Sequence, residues 1–225
     1  MHYIASMNEP IRKMIPYEEF DYQTLLGALR GYARPRDRIT TLLRKGVIIR
    51  VKKGLYVFGE HDRKRPYSRE ILANLMYGPS YISLEYALQY YGLIPERVEA
   101  VTSVTVGRSR KFATPVGLFV YRMIPMAAFR TGMDRVELED GRSYLIAVPE
   151  KALADKLRAD RVSIRTQRDL QSWLFDDLRM DSAAIQEMQP ARLEEYAGRY
   201  RSRKILLLSR LVRRLGRRKG GDIHA

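Results

Sequence analysis

Cysteine is absent from this 225-residue chain, which removes disulfides and thiolate metal sites and fits a reducing compartment. Histidine is scarce: His2, His61 and His224 are scattered, so neither a histidine metal cluster nor imidazole catalysis is expected. No run approaches the roughly 18–20 uninterrupted apolar residues of a membrane-spanning helix. The N-terminal stretch MHYIASMNEPIRKM lacks the charged-then-apolar layout of a secretory signal. Acidic residues are outnumbered, 26 against 41 Lys and Arg. Internal repeats are missing, and no segment is of low complexity except a basic tail. These absences predict a cytoplasmic protein without metal, cofactor or membrane segment.

What is present is an ordinary apolar share, 45% of residues, which is enough for a packed core. At this length the chain can form two small domains or one larger one. The formal charge of +15 is unevenly placed. Residues 1–65 carry 14 Lys and Arg against 7 acids, and residues 199–225 carry 10 against 1. The middle, 66–198, is nearly neutral, with 17 against 18. Basic ends flanking a neutral centre point to a polyanionic partner, nucleic acid before membrane.

The N-terminal pattern is specific. YQTLLGALRGY (22–32) places Leu25, Leu26 and Leu29 at helical spacing. Pro35 suits the first turn of a second helix over 35–45, and Gly46 ends it. Strand-like VIIRV (47–51) and LYVF (55–58) are joined by Lys52-Lys53-Gly54, where glycine supplies the positive φ of a tight hairpin. Helix, turn, helix and hairpin is the order of a winged helix-turn-helix. The charged linker HDRKRP sets a boundary, giving domains at 1–65 and 66–225.

In the 35–45 helix, Ile39, Leu42 and Leu43 share the core side. Opposite lie Asp37, Thr41 and Arg44, flanked by Arg38, Thr40 and Lys45, with Arg36 in the first turn. Arginine reads guanine bidentately, threonine meets thymine methyls, and remaining cations neutralise phosphate. Arg50, Lys52 and Lys53 on the hairpin are expected to reach the neighbouring backbone. Asp37 is awkward beside phosphate and is expected to stabilise the helix N-terminus or accept from cytosine.

Beyond the linker, Ser68 and Ser83 are expected N-caps for helices to about Met76 and Tyr91, and Gly92 closes the second. Strands are expected at 101–106, 118–123, 135–138 and 143–148, and Pro149 opens a helix, EKALADKL. From Thr166 the pattern is helical, broken near Met180 and Pro190. The second domain is therefore α+β with a helical C-terminus. GRSRKF (107–112) is expected as a cationic loop whose Arg108, Arg110 and Lys111 suit phosphate, against the plainer reading of a solvated hairpin tip. In the tail, Arg203, Arg210, Arg213, Arg214 and Arg217 form one stripe and Leu207, Leu208, Leu211, Val212 and Leu215 the opposite one. The expected arrangement is a helix docked on its own domain with cations held outward. A membrane-surface helix and a docking element for a partner are the competing arrangements. Tyr86 and Tyr90 read as packing residues ahead of base-stacking ones.

No catalytic set stands out. Glu150-Lys151 belongs to a helix start, Asp134, Glu137, Glu139 and Asp140 crowd a turn, and Gly78-Pro79-Ser80 is not followed by paired aspartates. The chain is expected not to be an enzyme.

Several stretches together carry a family resemblance: RKGVIIRVKKGLYVF (44–58), ISLEYALQYYGLIPE (82–96), VTSVTVGRSRKFATPVGLFVYRMIP (101–125) and YLIAVPEKALADKL (144–157). Over about residues 35–160 the chain resembles the AbiEi antitoxin family. The resemblance implies an N-terminal winged helix, a larger C-terminal antitoxin domain, and repression of its own operon through upstream inverted repeats. It implies double-stranded operator DNA as a partner, bound by two copies per inverted repeat from a monomer or weak dimer. It further implies a co-encoded nucleotidyltransferase-like toxin in a type IV, phage-defence pair. By the same resemblance the 35–45 helix, with Arg50, Lys52 and Lys53, contacts DNA, and the Arg108-Ser109-Arg110-Lys111 loop has a role. Residues past about 165 fall outside it. Two other readings remain open: a winged-helix transcription factor whose second domain senses a ligand, and an RNA-binding regulator.

Overall fold

The computed structural model describes residues 9–160 and 162–221, with side chains described for 11–160 and 162–216. The chain is mixed α+β with two sheets. It divides into two compact units, Met1–Met76 with Ala113–Gly117, and Tyr77–Phe112 with Leu118–Ala225.

The first unit runs α1 (Glu9–Met14), β1 (Glu19–Asp21), α2 (Tyr22–Ala28), α3 (Pro35–Arg44), β2 (Ile48–Lys52), β3 (Leu55–Phe58) and α4 (Arg69–Met76). Its sheet is antiparallel in the order β1-β3-β2. Asp21 caps α2 by accepting from the Thr24 N–H at 2.8 Å. Pro35 opens α3, and Gly46 leaves it at φ 69°. The apolar faces of these elements meet in one core that includes Leu25, Leu29, Ile39, Leu42 and Ile48. Phe20 lies against Phe58 with ring centroids 4.8 Å apart. Neither α1 nor β1 is expected from the sequence, because both are too short to show a period.

The charged linker does not separate the units. Buried Glu18 accepts from the Lys64 N–H at 3.2 Å and pairs with Arg12 and, at 3.9 Å, Arg65. Buried Glu19 accepts from the Ser68 N–H. These two carboxylates hold the segment after the hairpin to β1, so α4 groups with the first unit.

The second unit contains β4 (Ser80–Ile82), α5 (Leu84–Tyr90), β5 (Val101–Thr105), β6 (Arg110–Thr114, whose last two residues group with the first unit), β7 (Gly117–Met123, whose first residue does likewise), α6 (Met126–Phe129), β8 (Met133–Glu137), β9 (Ser143–Ala147) and α7 (Pro149–Ala159). There follow α8 (Gln167–Ser172), a π-helical turn over Trp173–Asp177, α9 (Ser182–Gln186), α10 (Pro190–Tyr200) and α11 (Arg203–Gly221). The sheet is mixed, in the order β6-β7-β5-β4-β9-β8. β5 runs antiparallel to β4 and parallel to β7, and every one of its residues is buried. Two expectations change here. The cationic 107–112 loop is strand from Arg110 onward, an edge strand whose exposed cations discourage edge-to-edge pairing. Ser83 precedes α5 but does not cap it with its side chain, and the Thr102 hydroxyl takes the Tyr86 N–H at 3.0 Å instead.

The Ser83 hydroxyl is engaged elsewhere. It donates to the buried Asp155 carboxylate at 2.7 Å. Asp155 also pairs with Lys151 one turn back on α7 and accepts from the Tyr200 hydroxyl at the end of α10. Lys151 and Asp155 are both 0% exposed. Tyr81, Tyr196 and Tyr200 surround the ammonium, with ring centroids 5.6, 5.9 and 5.0 Å away. Burial lowers the Lys151 pKa below the ordinary lysine value, and the Asp155 charge opposes that shift. The same burial, reinforced by Asp155, raises Tyr200 far above the ordinary phenol value, so it stays a neutral donor.

Removing one member of such a pair leaves an uncompensated buried charge. Lys151→Met is expected to cost about 3–5 kcal/mol in urea denaturation, and Lys151→Met/Asp155→Leu to recover most of it. At the other unit, Asp21→Ala is expected to cost about 1 kcal/mol. Hydrogen bonding from Thr24 lowers the Asp21 pKa. Its contribution is therefore complete above the ordinary aspartate pKa and fades as pH falls through the lowered value, which denaturation of the variant and parent across acidic pH will read.

Candidate nucleic-acid interface

The outward side of α3 follows from its inward one. Ile39 and Leu42 are buried and Leu43 is partly buried, leaving Arg36, Thr40 and Arg44 along the exposed side with Thr41 beside them. At about 1.5 Å per residue, about 12 Å of helix separates Arg36 from Arg44. The Thr40 hydroxyl donates to the Arg36 carbonyl at 3.2 Å and the Thr41 hydroxyl to the Asp37 carbonyl at 3.0 Å. Both hydroxyl protons are thus spent on the helix, and the outward chemistry of these threonines is methyl and lone pair. Arg38 is half-buried with its guanidinium 5.4 Å from the Tyr32 ring centroid. Asp37 faces solvent 4.0 Å from Arg34, a contact between two exposed side chains that contributes little.

The hairpin stands next to this helix. Gly54 turns it at φ 87°, and the register slips between Arg50 and Lys52, so Val51 points inward and is buried. Arg50 and Lys53 are exposed. Lys52 is placed differently from the expectation, because its ammonium donates to the Met76 carbonyl and the side chain is half-buried. Among the described residues, Arg36, Arg44, Lys45, Arg50 and Lys53 have no carboxylate partner. These five exposed cations, three at α3 and two on the hairpin, carry uncompensated charge.

Helix and hairpin are locked by backbone. A Cβ on Gly59 would sit 1.8 Å from the Gly46 carbonyl oxygen, and the Gly59 N–H donates to Val47 O at 2.8 Å.

In the second unit the structure divides the expected patch. Arg108 is exposed in the turn before β6, and Arg110 and Lys111 are exposed on the strand. Ser109 is fixed by accepting from the Met123 N–H at 3.0 Å. Along α11, Leu208, Leu211 and Val212 are buried and Leu207 and Leu215 are half-buried, so the helix is docked on its own unit. The Ser209 hydroxyl reaches Pro190 O at 3.1 Å, and Gln167 donates to Leu207 O at 2.9 Å. Arg203, Arg210, Arg213 and Arg214 stay exposed, with Arg213 paired to Glu194 at 2.6 Å. The Arg217 side chain lies outside the described residues. Among the described residues no helix is long and apolar enough to cross a membrane, and no group of acidic and histidine side chains is placed to hold a metal.

Arg203 and Ser109 meet in an open cleft of about 920 Å³, with Arg122, Arg158, Arg201 and Lys204. Sequence reasoning missed these last four. Stepping around one continuous helix through RYRSRK hides the break at Arg201, whose φ is 49°. Ser202 was the available signal, since it precedes α11 and accepts from the Ile205 N–H at 3.4 Å. No protein-family model matches the chain, and no characterised protein is similar enough to it to carry an argument.

The lock between α3 and the hairpin yields a prediction. Gly59→Ala forces the backbone apart and is expected to lower the stability of the protein in urea denaturation, whereas Gly31→Ala, where a Cβ meets nothing within 4 Å, is expected to leave it within about 0.5 kcal/mol.

Proposed function

We propose that the first unit is a winged helix-turn-helix that binds double-stranded DNA, with α3 entering the major groove and the β2–β3 hairpin acting as the wing. The observation that carries this reading is the uncompensated strip Arg36, Thr40, Thr41 and Arg44, continued by Arg50 and Lys53 on the adjoining hairpin. The span from Arg36 to Arg44 matches the about 12 Å width of the B-DNA major groove. Arginine at each end of the strip offers bidentate donors to guanine, and the threonine methyls between them suit thymine. Lys45, Arg50 and Lys53 are placed for phosphate. Arg38, held against Tyr32, is the more constrained reader of the three arginines.

The whole protein is read as a cytoplasmic, non-enzymatic antitoxin. It represses its own operon at upstream inverted repeats and counteracts a co-encoded nucleotidyltransferase-like toxin. Support for this half comes from the resemblance of the 82–96, 101–125 and 144–157 segments to AbiEi antitoxins. The second unit contains these segments apart from Ala113–Gly117 and is compact in itself, which supports a separate role for it.

Fluorescence anisotropy on the upstream DNA tests the interface. Arg36→Ala/Arg44→Ala is expected to weaken binding to the inverted repeat at least about tenfold while changing random-sequence DNA far less. Lys53→Ala should weaken both alike and reduce the salt slope by about one phosphate. Unchanged affinity in the double arginine variant overturns the assigned face. For the antitoxin half, the full-length Arg36→Ala/Arg44→Ala variant is expected to rescue cells from the neighbouring toxin when supplied from a constitutive promoter. Failure of the parent protein to do so overturns that half alone.

A further inference from the structure

Four arginines and one lysine from three elements and a junction line the cleft of the second unit. Arg122 leaves β7, Arg158 the last turn of α7, Arg201 the junction between α10 and α11, and Arg203 and Lys204 the first turn of α11. Lys204 donates to the Val162 carbonyl, so its position is fixed. Arg122, Arg158, Arg201 and Arg203 are exposed, and among the described residues their guanidiniums have no ion-pair or hydrogen-bond partner. The one acid in the lining, Asp160, is already neutralised. It pairs with Lys156 at 2.6 Å and accepts the Trp173 indole N–H at 3.2 Å. Burial disfavours the charge on Lys156, yet Asp160 and Glu85 outweigh it and raise its pKa above the ordinary lysine value.

This concentration of charge is costly where it stands. Arg203 and Lys204 occupy the positive end of a 19-residue helix whose first turn contains no acid, the reverse of what the macrodipole favours. Arg201 sits in the left-handed region at φ 49°, a conformation a non-glycine residue takes at some cost. Departures from local preference that cluster in a concavity mark a place where a ligand supplies the missing term. Here that term is negative charge, delivered to side chains and to helix N–H groups together.

Part of the lining is apolar. Met123 and Met126 are 62% and 49% exposed, among the most exposed large apolar side chains described, and both line the cleft with Ile124 and Pro125. Cations and exposed methionines lining one cleft suit a ligand that carries a polyphosphate and a flat ring. The volume falls in the range of small-molecule sites, about 300–1,000 Å³. These arginines line one concavity from several elements, whereas a nucleic-acid strand is followed by cations spaced along a track, as Arg210 and Arg214 are on α11. We propose that this cleft binds a nucleoside di- or triphosphate, with Arg158, Arg201, Arg203 and Arg122 on the phosphates and Met123 and Met126 against the base. The site is independent of the DNA-binding reading of the first unit.

Isothermal titration of the full-length protein tests it, with ATP, GTP, inorganic pyrophosphate and a short single-stranded oligonucleotide as separate titrants. One nucleoside triphosphate per chain is expected to bind, more tightly than pyrophosphate. Arg158→Ala/Arg203→Ala is expected to weaken it at least about tenfold, and Arg122→Ala to weaken it separately in case the double variant folds poorly. Met123→Ser/Met126→Ser should weaken the nucleotide several-fold and leave pyrophosphate unchanged. The emission of Trp173, the chain's one tryptophan and bonded to Asp160 at the rim, reports folding of each variant and is expected to shift on pyrophosphate binding. Absence of nucleotide binding, equal binding by the arginine variants, equal affinity for pyrophosphate and nucleotide, or binding of the oligonucleotide in preference to mononucleotides each overturns the proposal.

Discussion

The second unit is organised around one buried ion pair. Lys151 and Asp155 face the same side of α7, and everything that meets there does so on their terms: Ser83 between β4 and α5, Tyr81 on β4, and Tyr196 and Tyr200 on α10. Such a pair repays its desolvation only when further hydrogen bonds support it, and here both members have them. Asp155 takes hydrogen bonds from Ser83, Lys151 and Tyr200, and Lys151 also reaches the Tyr200 hydroxyl at 3.1 Å. The geometry is therefore specified by a few polar contacts inside an otherwise apolar core. Because Tyr200 is the last residue of α10, the pair also fixes where that helix stops. Arg201, Ser202 and Arg203 follow at once, so the buried charge determines the position of the exposed ones that line the cleft.

Among the described residues, the core of the first unit contains no comparable charge network. Apolar faces meet from three helices and a hairpin, while its two buried carboxylates, Glu18 and Glu19, work at the margin by holding the segment after the hairpin against β1. This difference shapes where function can be placed. In the first unit the cations lie on exposed faces of regular elements, where register alone orients them. In the second, cations converge at element ends, where caps and junctions orient them.

The same difference explains what was legible in the sequence. α2, α3 and the hairpin were readable because their signals are local: leucines at helical spacing, Pro35 at a helix start, Gly46 and Gly54 at positive φ. The helix after Pro149 and the docked face of α11 were readable for the same reason. β1 and β4 span three residues each, too few for a period to show, and β6 was hidden because its cations resemble a loop. The cleft was the least legible feature. Arg122, Arg158 and Arg201 come together only through the sheet and helix packing, and no spacing in the chain encodes that. Lys52 was misplaced for a related reason, since a hairpin pattern says which residues flank a turn but not that one of them bends back to a carbonyl at Met76.

The contact between Gly46 and Gly59 has a consequence for how the first unit tolerates change. With no Cβ at Gly59, backbone meets backbone between the end of α3 and the end of β3. How closely helix end and hairpin end approach is then limited by backbone van der Waals contact and the Gly59 N–H to Val47 O hydrogen bond, with no side chain between them. A side chain at Gly59, by contrast, would force α3 and the hairpin apart at this point.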